Sequence, residues 1–151
     1  MKIILATDGT KHSAPALDMT AHFNLNGNDE ILIVSVIDIS IPMTFDAYTG
    51  YIPDTTVLEK AARENAENLL AEAKSEVEDK LGDSTALVST ETLFGSPEIQ
   101  IVEKAEEIDA DVIIVGSHGY NRWERLLLGS VSDSVVHHAP CSVLVVRSPV
   151  E

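Results

Sequence analysis

Four stretches of this chain, KIILAT near the amino end and then EILIVSVI, DVIIVGS and CSVLVV, are close to unbroken in Ile, Leu and Val. A strand covered on one face only alternates apolar with polar residues. Runs without that alternation demand cover on both faces, which is the situation of a parallel sheet between two helical layers. A fifth run, STALVSTE, is more polar. The segments between the runs repeat apolar residues at three- and four-residue spacing, so the order reads β-α-β-α-β-α-β-α-β. The expected fold is a single open α/β/α sandwich on a five-stranded parallel sheet, with residues 1–151 forming one domain.

The clearest helix spans Thr56 to Leu81, where Leu58, Ala62, Ala66, Leu69, Ala73 and Val77 make the apolar stripe and a set of glutamates makes the wet face. Thr56 with Glu59 reads as a capping box and Gly82 as the stop. In SPEIQIVEKAEEI, Ser96 is placed to cap and Pro97 to occupy the first helical position. Further helices are expected after DGTKH and over SVSDSVVHHA, the latter capped by Ser130. Asp38 to Asp54 has no steady period and carries Phe45, Tyr48 and Tyr51. A connection of that length is a lid over a site, a flap against a partner or a tolerated surface insertion.

With 25 acidic residues against 10 Lys plus Arg, the formal charge is −15. A field of that sign repels nucleic acid and anionic membrane alike, so neither is an expected partner. It also repels nucleotides, and any phosphate site must therefore be local, built from backbone amides, a helix N-terminus, a few basic side chains or a bridging cation. The lone Cys141 has no disulfide partner in the chain, the opening MKIILATDG has no basic-then-apolar leader, and no apolar run approaches membrane length. A cytoplasmic location is the expectation.

Ligands of open parallel sheets sit beyond the carboxyl ends of the strands. Two segments reach that edge with suitable chemistry: Thr7-Asp8-Gly9 after the first strand and Gly116-Ser-His-Gly119 after the fourth. Gly129 and Ser130 then open a helix whose free amides suit a phosphate. There is no Gly-x4-Gly-Lys-Ser/Thr loop, no Gly-x-Gly-x-x-Gly and no Gly-x-Ser-x-Gly elbow. No catalytic residue is nominated, and His12, His22, His137 and His138 lack ligand spacing, so no protein metal site is expected.

Gly116-x2-Gly119, nine residues, then Gly129-Ser130 resembles the ATP-binding signature of the universal stress protein family, Gly-x2-Gly-x9-Gly-Ser/Thr. KIILATDGTKHS, ILIVSVID, ADVIIVGSHG and LLLGSVSDSVVHHAPCSVLVVR resemble the family's first, second and fourth strands and its closing helix and strand. The resemblance implies the adenine-nucleotide-binding form of a Rossmann-like fold and a cytoplasmic homodimer paired through the last strand. It implies a stress-linked regulator that binds ATP, with Mg²⁺ bridging the phosphates. Carried over by position, Thr7 and Asp8 lie beside the adenosine, with Asp8 near the base and ribose or a phosphate-bound cation, Val36 touches adenine, and Val115 and Gly116 approach the ribose. His118 and Gly119 meet the phosphates from one side and Gly129, Ser130 and Val131 from the other. YNRWER is bulkier than the family's usual loop, and Ala6 stands where some relatives carry proline.

Each assignment has a plainer counterpart. Asp8 can simply close an Asx turn, His118 can merely line a loop, and Trp123 can pack in the core. Cys141, followed by Val143 to Val146, reads as a buried thiol. A slow ATPase or phosphotransfer enzyme and a dimeric scaffold that binds nothing are the alternative functions; the downstream protein partner is not encoded in any readable motif.

Overall fold

The computed structural model describes residues 1–11, 13–38, 56–117 and 128–147. Within them the elements run β1 (Lys2–Ala6), α1 (Ala14–Met19) with a single 3₁₀ turn after it, β2 (Glu30–Ile37), α2 (Thr56–Leu81) and β3 (Leu87–Phe94). Then follow α3 (Pro97–Glu107), β4 (Val112–Gly116), α4 (Ser130–His138) and β5 (Ser142–Val146). The sheet is wholly parallel in the order β3-β2-β1-β4-β5. The chain builds outward from β1 in one direction, then returns past it to build in the other. That reversal lies between β1 and β4.

The unbroken apolar runs are explained by two cores of opposite facing. Ile3, Leu5, Ile31, Ile33 and Ile114 join α1 and α2 on one side, while Ile4, Val34, Ile113 and Val115 join α3 and α4 on the other. Neighbouring residues of one strand thus go to different cores, as a period of two requires. Burying these side chains supplies the main favourable term for the fold, at about 1.5–3 kcal/mol for each Val, Leu or Ile.

The stripe on α2 is corrected at its start. Ala66, Leu70, Ala73 and Val77 are its buried residues and Leu69 packs beside them, but Leu58 is 72% exposed. Leu58 precedes Ala66 by eight positions, so it is turned about 80° from the buried line at 100° per residue. Gly82 ends the helix with φ +56. Thr56, expected as the cap, is the first residue of α2, and the residue before it lies outside the described ones.

β3 is also displaced from STALVSTE: it starts at Leu87 and continues to Phe94. The turn before it is held by the Ser84 hydroxyl donating to the Leu25 carbonyl at 3.0 Å, and the Leu87 amide then donates to Asp29 O at 3.0 Å to begin the pairing with β2. Ser96 occupies the N-cap of α3 without a side-chain capping bond, and Pro97 opens the helix as expected. On α4 the cap is Gly129, with Ser130 the first helical residue. Gly129 has φ −63 and ψ 156, and its carbonyl accepts the Asp133 amide at 2.8 Å, so the helix is entered one residue earlier than a serine cap would enter it.

Two features escape pattern reading. Gly9 has φ +71, and a β-carbon there would lie 1.9 Å from Leu69 Cδ1 of α2. Lys104, 9% exposed on α3, bonds Glu107 at 2.8 Å and Glu91 of β3 at 2.9 Å, which together raise its pKa.

Gly9→Ala is therefore expected to cost about 1–3 kcal/mol through overpacking and left-handed strain, read as a lower midpoint in urea. The raised Lys104 pKa contributes stability that is complete below its ordinary value of 10.5 and disappears as pH climbs through the higher folded value. The stability of the wild type relative to Lys104→Met should accordingly decline as paired urea melts are carried from about pH 9 to about pH 11.

Candidate functional site

At the reversal point, the carboxyl ends of β1 and β4 diverge and leave a cleft of about 220 Å³. Ala6, Thr7, Asp8 and Ser13 line it from the β1 side, and Val34 and Val36 from β2. Pro97 and Ile101 of α3 contribute a further wall. Val115 and Gly116 enter from the end of β4, and Gly129, Ser130, Val131 and Ser132 from the start of α4. The sheet topology assembles this set: segments more than a hundred positions apart meet because β1 and β4 are hydrogen-bonded neighbours.

Eight of the ten expected site residues lie on this cleft: Thr7, Asp8, Val36, Val115, Gly116, Gly129, Ser130 and Val131. His118 and Gly119 fall outside the described residues, as do Arg122, Trp123, Arg125 and the expected flap beyond Asp38.

The hydroxyls on the β1 side are committed to the protein. Ser13 Oγ donates to the Thr10 carbonyl at 3.0 Å, so in its 2.9 Å contact with Thr7 the proton comes from Thr7 Oγ1. Thr7 Oγ1 in turn accepts the Gly9 amide at 3.2 Å. The Thr7 proton is thus spent inside the loop, and what that side chain retains for a ligand is acceptor capacity. Asp8 is exposed at the rim, and its Oδ1 accepts both the amide and the hydroxyl of Thr10, at 3.0 and 2.7 Å. It closes an Asx-type turn and lines the cleft at once; the two readings are compatible.

On the opposite side the end of β4 and the start of α4 are joined through Ser117. Its amide donates to Val146 O at 2.8 Å, extending the ladder with β5. Its carbonyl accepts the Gly129 amide at 2.8 Å and the Ser132 hydroxyl at 3.3 Å. Gly129 therefore lines the cleft with its amide already used. The amides that precede the first intrahelical bond of α4 are those of Ser130, Val131 and Ser132, the groups an anion at this helix end would meet.

Chemically the lining is mixed. Val34, Val36, Ile101, Val115 and Val131 offer an apolar slot suited to a flat ring; the α4 amides and the Asp8 rim offer polar contacts. Among the described residues no group of three His, Cys, Asp or Glu side chains could hold a metal ion. His137 and His138 are exposed, with Nδ1 of each 2.8 Å from a carbonyl one turn back, Asp133 O and Ser134 O respectively. Cys141 is half-buried, with burial first and Asp111 second pushing its thiol pKa up, away from reactivity. No described helix is long and apolar enough to cross a membrane.

Ser13, Val34, Pro97, Ile101 and Ser132 are cleft residues that motif reading did not find. Pro97 and Ile101 had a usable signal, since α3 also starts at the carboxyl edge of the sheet. Ser132 had none beyond its place in the first turn of α4.

The sequence profile of the universal stress protein family matches residues 1–147. A protein of Staphylococcus aureus strain USA300 assigned to the universal stress proteins is 40% identical over 147 residues, 97% of this chain and 83% of that relative. Hypothetical protein MJ0577 superposes with a TM-score of 0.79 at 29% identity, covering 99% of this chain and 97% of that one. A universal stress protein solved in complex with cAMP superposes with a TM-score of 0.68 over 99% of this chain and 98% of that one; at 21% identity this is a likeness of fold.

Proposed function

We propose that this chain, which belongs to the universal stress protein family, is a regulatory module that holds ATP in the cleft between β1 and β4. The observation that carries this reading is convergence: eight of the ten residues that the sequence nominates line one cleft, whose lining combines apolar side chains with the amides at the start of α4. Adenine fills the slot beside Val36, the ribose lies against Val115 and Gly116, and the phosphates run toward Ser130 and Val131. His118 and Gly119 complete the phosphate side in this reading. A cAMP-bound protein of the same fold agrees with the ligand class, while the specific assignment to ATP rests on the glycine signature of this chain.

The phosphates bring their own counterion. A chain of net charge −15 gains little from long-range attraction, so Mg²⁺ bridging the phosphate oxygens offsets the repulsion, with Asp8 at the rim facing the cation. The assembly belonging to this reading is a homodimer. β5 is the edge strand beside β4, its Val143, Leu144 and Val145 are only half-buried, and pairing with a second copy would cover them. A single cysteine with a raised pKa suits the reducing cytoplasm.

Holding is favoured over hydrolysis. Amides and apolar walls bind ground state and transition state alike, and such uniform binding does not speed the bound reaction.

Gly129→Val tests the phosphate assignment. Its φ of −63 is open to any L-residue, so the substitution crowds the cleft without backbone strain. ATP affinity by calorimetry should fall at least about tenfold while the melting midpoint stays near that of the wild type; unchanged affinity in a folded variant refutes the reading. Single-turnover measurement with excess protein, labelled ATP and Mg²⁺ should release phosphate far more slowly than about 1 s⁻¹, the low end of ordinary turnover. Faster release that disappears in Gly129→Val would make the protein an ATPase.

A further inference from the structure

Ser132 has a contact that its helical position does not account for. A serine in the first turn of a helix commonly bonds the carbonyl three residues back, and Ser132 Oγ does donate to Gly129 O at 3.0 Å. The same hydroxyl also reaches Ser117 O at 3.3 Å, across fifteen positions of sequence. One proton is shared between two carbonyls in a three-centre bond. Ser132 is 3% exposed and Ser117 likewise 3%, so water does not compete for these groups.

The two acceptors lie on the two segments that bracket the cleft. Ser117 follows Gly116 at the end of β4, and Gly129 caps α4. The Ser117 carbonyl receives the Gly129 amide at 2.8 Å as well. Its two lone pairs are therefore filled by donors from the α4 side, while its amide is held by Val146 O at 2.8 Å. The link is short and buried, and it is anchored to β5.

Resting on the nucleotide reading above, we infer that Ser132 is a positioning residue for phosphate recognition: its hydroxyl fixes the start of α4 against the end of β4 and so sets where the Ser130 and Val131 amides stand. It touches the cleft wall and acts through the segments it joins. Of the slot residues, Val34, Val36 and Ile101 belong to neither segment and only Val115 and Val131 do, so recognition of the adenosine part depends on the link less than phosphate recognition does.

The test is the ratio of affinities for ATP with Mg²⁺ and for adenosine, measured by calorimetry on the wild type, Ser132→Ala and Ser132→Thr. Losing one buried hydroxyl bond should weaken ATP about tenfold in Ser132→Ala and leave adenosine within about twofold. Ser132→Thr, which keeps the donor, should restore the ratio. In the unliganded protein, hydrogen exchange at the Gly129 amide should quicken several-fold in Ser132→Ala. Equal losses for both ligands would mark a general packing role and overturn the inference, as would unchanged affinities together with unchanged exchange. A wild type that binds neither ATP nor adenosine removes the nucleotide reading, and this inference with it; a wild type that binds both, beside an indistinguishable Ser132→Ala, removes this inference alone. If Ser132→Ala does not melt cooperatively, Ser132→Cys, a weak donor of similar size, is read against the same outcomes.

Discussion

The pairing of β1 with β4, Ile3 to Val112 through Leu5 to Ile114, is the contact on which the molecule depends. A parallel neighbour cannot be reached by a tight turn, so every connection must leave the sheet and cross one of its faces. Between β1 and β3 the crossings build one half of the sheet, and from β4 to β5 the other half. Where the halves meet, the chain leaves β1 toward α1 and leaves β4 toward α4, and among the described residues no connection covers the gap between them. The cleft follows from topology, before any side chain in it is specified. Val34, Ile101 and Val115 of its lining are themselves buried core residues, so its floor is part of the core.

This origin explains why polar groups at the cleft do so much internal bonding. The end of a strand and the start of a helix leave amides and carbonyls without regular partners, and buried ones must find some. Ser13, Thr7 and Gly9 resolve the β1 side in a relay that ends on Thr10 O, and Ser117, Gly129 and Ser132 resolve the β4 side. No buried side-chain nitrogen or oxygen among the described residues is left without a partner. A rim built this way is rigid before anything binds, and rigidity of that kind lowers the ordering cost of binding.

How much of this could be read from sequence varied with the range of the interaction. Unbroken apolar runs gave the parallel sheet because two-sided burial leaves its mark on each strand separately. The glycine spacing led to residues that do share a cleft, because both glycine segments terminate at the same sheet edge. Contacts between elements left no local mark. Gly9 looks like any turn glycine until Leu69 is placed against it, and Lys104 looks like a solvated lysine on a helix until Glu91 of β3 is brought near. The α4 cap was misplaced by one residue because Gly and Ser are both good caps, and the choice is made by the Gly129 amide turning back to Ser117 O. His118, Gly119 and the aromatic residues past Asp38 lie outside the described residues.

The glycines themselves show why spacing motifs work without a single physical cause. Gly9 is required by its φ of +71 and by Leu69, both internal demands of the fold. Gly129, at φ −63 and ψ 156, stands in a conformation any residue adopts, so its lack of a side chain has no conformational purpose. Its amide is spent on Ser117 O, so it is not needed there as a donor either. Gly129 lines the cleft immediately before Ser130 and Val131, so under the proposed nucleotide reading its small size matters as space beside their amides. The surrounding acidity sharpens the point. A chain of charge −15 attracts an anion only at short range, where fixed amides act from within contact distance, so the start of α4 must be open to close approach for its amides to act at all.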